Sequence, residues 1–152
     1  IIKLMNPAIF RAYDIRGKYP KEINERVVSE IVQSIGQRLF FNSYTLNLKP
    51  KVVVGHDARL SSPKLYRAAM KALQDCKIER LKIIEAGMIT TPMLSFLVNH
   101  YKADLGIMIT ASHNPKNYSG LKIVGKNAVP ISGKEILKII SGAGRGRRGG
   151  FL

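Results

Sequence analysis

The feature that most constrains the fold is an alternation of short apolar runs with longer amphipathic stretches. Residues 51–55 and 105–109 are runs of mostly aliphatic side chains, and such runs are typical of strands that are buried on both faces. Residues 62–76 and 91–101, which lie between them, carry apolar side chains at the spacing of helices. Strands that alternate with helices predict an α/β fold, in which helices cover both faces of a sheet.

Further strands and helices complete the predicted order. A third strand is expected at residues 80–84 and a fifth at residues 121–124, because both are short runs rich in β-branched or aliphatic side chains. The predicted helices begin at local capping signals. These signals are Asn24, Ser62 with Pro63, Thr91 with Pro92, and the capping box of Ser132 with Glu135. In the helix after Thr91, the side chains of Met93 and Tyr101 are expected to face the core.

The first element, residues 9–17, is predicted to be an extended edge segment that a glycine ends. Alternation along this segment would place Phe10, Ala12 and Asp14 on one face. A local ion pair between Asp14 and Arg16 is the simplest role for those two charges.

The connection between the last two strands, residues 110–120, is short for a helical crossover. Those strands are therefore expected to be antiparallel, within a mixed, mainly parallel sheet. Residues 8–141 are predicted to form a single domain, a three-layer α/β/α sandwich, preceded by an N-terminal extension at residues 1–7. Residues 142–152 are expected to be a Gly/Arg-rich linker or tail.

Charge is the unusual part of the composition. The chain has 25 Lys and Arg against 10 Asp and Glu, a formal net charge of +15. Such a field favours anionic partners, which include phosphorylated small molecules, nucleic acid and acidic surfaces. Nucleic acid is the weakest of these, because the sequence has no stacking-aromatic pattern and no known nucleic-acid motif.

Cysteine content and hydropathy favour a cytoplasmic location. Cys76 is the single cysteine, so no internal disulfide can form, which fits a reducing cytosol. No run approaches the roughly 18 apolar residues that a membrane span needs. The first residues lack the pattern of a secretory signal, and no membrane partner is expected.

Polar side chains are concentrated at residues 110–115, directly after the predicted buried strand. Ser112, His113 and Asn114 bring a hydroxyl, an imidazole and an amide into one tight loop. In open α/β sheets, ligands bind at the carboxyl ends of strands. From the residues alone two interpretations stay open, which are a serine that shapes a turn and a serine that carries phosphate.

A phosphate-carrying serine needs hydrogen-bond donors and a positive charge near it. His113 and Asn114 are candidate donors, and Lys122 on the next strand is a candidate general acid/base or phosphate contact. A protease-like pair of Ser112 and His113 is disfavoured, because adjacent side chains are expected to diverge. The chain also has no Gly-x-Ser-x-Gly motif.

The loop after the second strand carries charges as well. Asp57 and Arg59 lie between that strand and a helix start, and free N–H groups at a helix start can bind phosphate. This loop lacks the glycines of a phosphate-binding loop. Asp57 and Arg59 are therefore expected to bond each other and the loop backbone.

Four motifs occur along the chain in one order. They are Phe10-Arg11-Ala12-Tyr13-Asp14-Ile15-Arg16-Gly17, Gly55-His56-Asp57-Ala58-Arg59-Leu60-Ser61-Ser62, Thr91-Pro92-Met93-Leu94, and Thr110-Ala111-Ser112-His113-Asn114-Pro115 through Gly120-Leu121-Lys122. Together they resemble the N-terminal, catalytic-serine domain of the α-D-phosphohexomutases, specifically the phosphomannomutase/phosphoglucomutase branch. The phosphoglucosamine mutase branch ranks second, because it carries glycine-threonine-aspartate in place of Arg11-Ala12-Tyr13.

This resemblance implies an enzyme that interconverts the 1- and 6-phosphates of mannose or glucose through a hexose 1,6-bisphosphate. Ser112 corresponds to the family's phosphoserine, whose phosphate also ligates Mg²⁺. His113 and Lys122 correspond to positions for proton transfer and orientation, and Tyr13 and Arg16 to positions that line the active site. The expected catalytic residues are Ser112, His113, Lys122 and Arg16, and the expected substrate-binding residues are Tyr13, Arg16, Asn114 and Lys122.

The sequence departs from the family pattern at two motif residues and in the metal-binding loop. His56 stands where the family usually has arginine, and Ser119 where asparagine is usual. Family members have four domains, with an Asp-x-Asp-x-Asp metal loop in the second, whereas the four aspartates of this chain are widely separated. The resemblance therefore implies that the remaining mutase domains are partners and that these 152 residues alone, as a fragment or isolated domain, have no turnover. A non-catalytic module that binds phosphosugars or proteins is the alternative.

Overall fold

The computed structural model of the protein describes residues 5–40 and 49–142. The strands are β1 (Ile15–Lys18), β2 (Lys51–His56), β3 (Lys82–Met88), β4 (Leu105–Ile109), β5 (Tyr118–Val124) and β6 (Pro130–Ile131). The helices are α1 (Glu25–Leu39), α2 (Ser62–Asp75), α3 (Thr91–His100) and α4 (Gly133–Ser141). Strands and helices therefore alternate along most of the described chain, as the sequence predicts.

The strands form one mixed sheet in the order β1-β5-β4-β2-β3, with β6 also paired to β5. β2 is parallel to both β3 and β4, whereas β5 is antiparallel to β4, β1 and β6. The mixed sheet and the antiparallel β4–β5 pair are confirmed. The expectation of a mainly parallel sheet is also confirmed, since five of the six described strands run in one direction and β5 alone runs against them. The connections of β5 to β4 and β6 are too short for the crossovers that parallel pairing needs.

Helices lie on both faces of the sheet, which confirms the α/β/α layering. α1, α2 and α4 bury their apolar faces in one large cluster, to which Ile31, Leu65 and Ile136 contribute. α3 packs on the opposite face, where Leu94 and Val98 contribute to a smaller cluster. Both clusters contact the central strands, so the sheet is buried between two apolar layers.

Two of the four predicted helix starts are confirmed at the predicted residue. The Asn24 side chain accepts a hydrogen bond from the Val27 N–H at 3.0 Å, and Ser132 forms its capping box with Glu135. The other two caps lie one residue earlier than predicted. They are Thr90, which accepts from the Met93 N–H, and Ser61, whose side chain makes no capping bond.

The segment before β1 is a turn, so the prediction of an extended edge segment over all of residues 9–17 is wrong. Phe10 forms an isolated bridge with Ile15, and the Arg11 N–H donates to the Asp14 carbonyl at 2.8 Å. The turn exposes Ala12 and buries Phe10 and Asp14, because a tight turn does not keep the alternation of a strand.

The outer face of α3 is less buried than its spacing suggests. Met93 is 45% exposed, Tyr101 39% and Phe96 60%. The prediction that Met93 and Tyr101 face the core is wrong, since α3 is the only α-helix on its face of the sheet in the described part of the chain and buries only a narrow stripe.

The ends of the chain bear on the predicted domain limits. Met5 is buried in the larger cluster, and the Asn6 side chain caps a short turn at Pro7–Ile9. Residues 1–4 of the predicted extension and 143–152 of the predicted tail lie outside the described residues. Within residues 5–40 and 49–142, no helix is long and apolar enough to cross a membrane.

Candidate functional site

The candidate site is the loop that joins β4 to β5, residues 110–117, called the serine loop below. Its base is closed by a hydrogen bond of 2.9 Å from the Thr110 N–H to the Gly120 carbonyl. The parallel neighbour β2 ends beside it, since His56 pairs with Ile109. The loops after β2 and β4 therefore meet at one edge of the sheet, where ligands bind in folds of this type.

Ser112 lies exposed in the serine loop, in an uncommon backbone conformation. Its φ of 56° is in the left-handed region, which costs a non-glycine residue of order 1–3 kcal/mol and persists only where the surroundings hold it. Its N–H donates to the Thr110 hydroxyl at 2.9 Å. The Ser112 hydroxyl oxygen is therefore presented to solvent from a backbone that is fixed on its N-terminal side.

His113 contacts Ser112, although adjacent side chains were expected to diverge. Its Nδ1 lies 3.5 Å from the Ser112 Oγ, which is longer than the 2.6–3.2 Å of a nucleophile and its base. The pair is close enough for both side chains to contact one phosphate group. It is too long for a preformed protease-like dyad, so that disfavoured interpretation gains no support.

Arg59 bonds the serine loop from the end of β2. Its Nη1 donates to the carbonyls of Pro115 at 2.7 Å and Tyr118 at 3.2 Å, and its Nη2 to those of Ser112 at 2.8 Å and Asn114 at 2.7 Å. One guanidinium group therefore holds four carbonyls that span seven residues of the chain.

Asp57 holds Arg59 in turn. Its carboxylate lies 3.2 Å from the Arg59 Nε and also accepts from the Arg59 backbone N–H at 3.1 Å and from the Ser62 hydroxyl at 2.6 Å. The predicted bond between Asp57 and Arg59 is confirmed. Because the Ser62 hydroxyl is used here, it does not cap α2, which explains the cap at the preceding residue.

The surroundings of Asp57 favour its charged form. Burial by itself raises the pKa of the Asp57 carboxyl, but hydrogen bonds from Ser62, the Arg59 N–H and the Thr110 hydroxyl, with the charge of Arg59, bring that pKa below its ordinary value. The Thr110 hydroxyl therefore links the two loops, because it bonds the Asp57 carboxylate and accepts a hydrogen bond from the Ser112 N–H. The two loops share one hydrogen-bonded network.

A second group of charges lies beside the serine loop, on β1 and β5. Asp14 is 3% exposed, and its carboxylate lies 2.8 Å from the Arg16 Nε and 3.4 Å from the Lys122 Nζ. Arg16 pairs with Gly120, two residues before Lys122, so both cations stand on one face of the sheet. The predicted ion pair of Asp14 and Arg16 is confirmed, although its two facing atoms are not aligned as a hydrogen bond.

This group carries surplus positive charge. Two cations share one carboxylate, which leaves a net charge of +1 next to the loop that bears Ser112. Arg16 and Lys122 are 19% and 26% exposed at the side chain. Both can therefore contact an anion from solvent while Asp14 fixes their positions from below.

Two further predicted site residues, Tyr13 and Asn114, lie in the same region, one exposed and the other bonded to the loop. Tyr13 is 77% exposed, at the tip of the turn before β1. The Asn114 side chain donates to the Ala111 carbonyl at 2.8 Å, so part of its bonding capacity serves the serine loop itself.

The described residues do not by themselves fit a Mg²⁺ ion. Among residues 5–40 and 49–142, no three carboxylate, histidine or cysteine side chains come together in a group that could hold a metal. The two carboxylates described beside the serine loop, Asp14 and Asp57, are engaged by cations. A magnesium ion needs six oxygen ligands, most of which would come from outside these residues.

The contacts of Arg59 with the serine loop were missed by sequence reasoning. That reasoning expected Arg59 to bond the loop backbone, but did not identify the serine loop as its partner. The signal in the sequence was its place after a strand parallel to β4, because the carboxyl ends of neighbouring parallel strands lie at one edge.

Comparison with known proteins agrees with this geometry. The family model for phosphoglucomutase/phosphomannomutase, alpha/beta/alpha domain I, matches residues 7–147. The chain belongs to this family. Among its relatives, a phosphomannomutase of Escherichia coli is 42% identical over 125 residues, which are 82% of this chain and 25% of that protein. The chain thus spans about a quarter of the length of that relative.

Two more members of the phosphoglucomutase/phosphomannomutase family extend the comparison. A phosphomannomutase sequence of Klebsiella pneumoniae is 40% identical over 132 residues, which are 86% of this chain and 76% of that sequence. The crystal structure of a phosphoglucomutase/phosphomannomutase family protein from Burkholderia thailandensis matches with a TM-score of 0.72 at 28% identity, covering 92% of this chain and 31% of that one. The fold and the family are therefore established together.

Proposed function

We propose that this chain is the serine-bearing domain of a phosphohexomutase that interconverts hexose 1-phosphate and hexose 6-phosphate, with Ser112 as the phosphate carrier. The observation that carries the proposal is the exposed Ser112 hydroxyl, held at a φ of 56° in a loop next to uncompensated positive charge. A carrier serine needs both features, since its oxygen must reach the sugar and its phosphate must be offset.

The proposed reaction has two transfers. In the first, the bond between phosphorus and the Ser112 Oγ breaks, and phosphorus bonds to a free sugar hydroxyl, whose proton leaves to a base. The product is a hexose 1,6-bisphosphate, which reorients in the site so that its other phosphate faces Ser112. In the second, the other phosphate passes to the Ser112 Oγ, and the sugar oxygen that is released takes up a proton.

The side chains around Ser112 support these steps. We assign His113 and Lys122 to hold or move the protons, and Arg16 and Lys122 to offset the charge of the phosphate. Tyr13 and Asn114 are assigned to contacts with the substrate. Mannose and glucose phosphates are the proposed substrates, because the matching family is described as phosphoglucomutase/phosphomannomutase and the relatives are phosphomannomutases.

Mg²⁺ and the remaining mutase domains belong to the same proposal as partners from outside the described residues. A bound magnesium ion would supply charge neutralisation during phosphoryl transfer. On this chain its ligand would be a phosphate oxygen on Ser112, since Asp14 and Asp57 are already paired with cations.

The intact mass of the purified chain tests the proposal. We expect one phosphoryl group at Ser112, present on purification or after incubation with glucose 1,6-bisphosphate, Mg²⁺ and the remaining domains of the Escherichia coli relative, which are expected to supply the metal ligands that this chain lacks. It should be absent from Ser112→Ala and present in the control Ser141→Ala, whose exposed hydroxyl bonds only within α4. An unphosphorylated parent chain after both treatments would rule out the carrier role and leave a non-catalytic binding module.

A further inference from the structure

We propose that Arg59 is a positioning residue for the phosphate carrier, one that acts through the backbone of the serine loop and not by contacting the sugar. The proposal rests on the proposed function, because it assigns Arg59 to the phosphorylated form of Ser112. Arg59 lies outside the serine loop, and its guanidinium group donates to four carbonyls in and directly after that loop.

The bonds of Arg59 fix the direction in which the serine loop presents its groups. Carbonyl oxygens that point toward Arg59 cannot point toward an anion at Ser112, where they would repel it. Arg59 is itself mostly buried, with 15% of its side chain exposed. It therefore serves the interior side of the loop and leaves the solvent side to Arg16, Lys122 and His113.

The conformation of Ser112 needs such a support. A φ of 56° is unfavourable for serine, so a loop free to relax would leave it. Thr110 holds the Ser112 N–H on one side, and Arg59 holds the Ser112 carbonyl on the other. The strained residue is fixed at both of its peptide groups.

Lysine cannot replace arginine in this role. A guanidinium group presents five N–H donors in a rigid planar fork, whereas an ammonium group is a compact point charge with three donors. Arg59→Lys keeps the positive charge near Ser112 and loses the geometry that reaches four carbonyls. The substitution therefore separates positioning from simple charge neutralisation.

The experiment uses the full chain with phosphoserine incorporated genetically at position 112, so that it does not depend on turnover. The phosphorus NMR shift of that residue is measured in the parent, in Arg59→Lys and in each chain unfolded in urea. We expect the phosphorus resonance of the folded parent to differ in chemical shift from that of the unfolded parent. In Arg59→Lys the resonance should move at least half of the way to the unfolded chemical shift. Amide hydrogen exchange at residues 112–118 should accelerate about tenfold, as expected for a locally opened segment.

Arg26→Lys is the matched control, because Arg26 lies on α1 and pairs there with Glu30. Both measurements should stay at the parent values in this variant. Parent-like phosphorus shift and exchange in Arg59→Lys would overturn the proposal and leave only a charge effect. A parent resonance that coincides with the unfolded one would also overturn it.

Asp57→Asn keeps the test decisive if Arg59→Lys loses its cooperative unfolding transition. This variant retains the guanidinium group and removes the carboxylate that holds its Nε, so both readouts should move in the same direction by a smaller amount. No movement would again refute the positioning role. The mass experiment on unmodified protein decides the proposed function separately, because an unphosphorylated Ser112 there sinks that function whatever Arg59 does.

Discussion

At the scale of single residues, the two carboxylates beside the serine loop play different parts. Asp14 is buried between Arg16 and Lys122, and removing one partner of a buried ion group typically costs about 3–5 kcal/mol. Asp57 is partly exposed and holds Arg59. One carboxylate places the cations that face the anion, and the other places the loop that carries Ser112.

Acid should weaken the fold through Asp57. The pKa of Asp57 is lower in the folded chain than its ordinary value of about 3.9. Its stabilisation is therefore present above the unfolded pKa and is lost as the pH falls through the folded pKa. We expect Asp57→Asn to lower the free energy of unfolding by about 1.5–3 kcal/mol at pH 7, and by less at pH 3.

Urea unfolding at both pH values measures this difference. Asp75→Asn is the control, since Asp75 forms an exposed pair with Lys71 on α2 and such pairs contribute less than about 1 kcal/mol. If the difference in free energy of unfolding between the parent and Asp57→Asn is as large at pH 3 as at pH 7, the stabilising role of the charged Asp57 is contradicted.

Ser119 offers a stabilising substitution. Its side chain is fully buried, and its hydroxyl has no hydrogen-bond partner in the described part of the chain. A buried hydroxyl without a partner costs about 1–3 kcal/mol. Ser119→Ala should therefore raise the free energy of unfolding by about 1 kcal/mol, which is roughly 2–4 °C in Tm for a chain of this size.

Calorimetry provides the measurement for Ser119→Ala. Ser141→Ala, at an exposed position of α4, should change stability by no more than about 0.5 kcal/mol. A lower Tm for Ser119→Ala would mean that this hydroxyl has a partner when the protein is in solution.

At the scale of elements, local signals predicted the structure well and tertiary contacts caused the errors. The caps at Asn24 and Ser132 depend on side chains within three residues, so the sequence is sufficient to find them. The cap of α2 was misplaced because the Ser62 hydroxyl bonds Asp57 across the loop. The exposure of Met93 depends on how many helices share its face of the sheet, and no local pattern contains that number.

The site followed the same division. The place of Ser112 after a buried strand could be predicted, and its left-handed backbone could not. That conformation depends on Arg59, which lies 53 residues away in sequence. The carrier role of Ser112 and the roles of the other site residues are predictions, which the resemblance suggests and the exposed, left-handed Ser112 supports.

The contact between β1 and β5 requires glycine at position 120. A Cβ there would collide with the Ile15 carbonyl and lie 2.9 Å from the Arg16 Cα, so β1 could not pair as closely. We expect Gly120→Ala to lower the free energy of unfolding by about 3 kcal/mol, the upper part of the range for overpacking. Because β1 carries Arg16, the charge group beside Ser112 should also be displaced.

Chemical denaturation measures the effect of Gly120→Ala. Gly125→Ala is a matched control, since the atom nearest to a Cβ at that position would lie 3.7 Å away, an ordinary contact. Equal stability of the two variants would show that β1 can shift without loss.

At the scale of the whole molecule, the described residues bring together a serine and its surrounding charges but no group of side chains that could by itself hold a metal. Within the described residues, carboxylates are either paired with cations or far from the serine loop. We therefore expect the isolated chain to form no glucose 6-phosphate from glucose 1-phosphate, even with Mg²⁺. A coupled assay measures this, with Ser112→Ala as the check for contaminating enzyme. Turnover in the parent that Ser112→Ala abolishes would contradict the prediction.

The bridge from Arg59 to the serine loop has a consequence for how this motif can be used outside the protein. Four of the carbonyls that shape the loop find their donor 53 to 59 residues earlier in the chain. A synthetic peptide of residues 110–117 would lack that donor, its carbonyls would turn to water, and Ser112 would relax out of the left-handed region. The isolated serine motif therefore does not keep its folded conformation. Antibodies raised against the linear peptide would recognise a shape that the folded protein does not present.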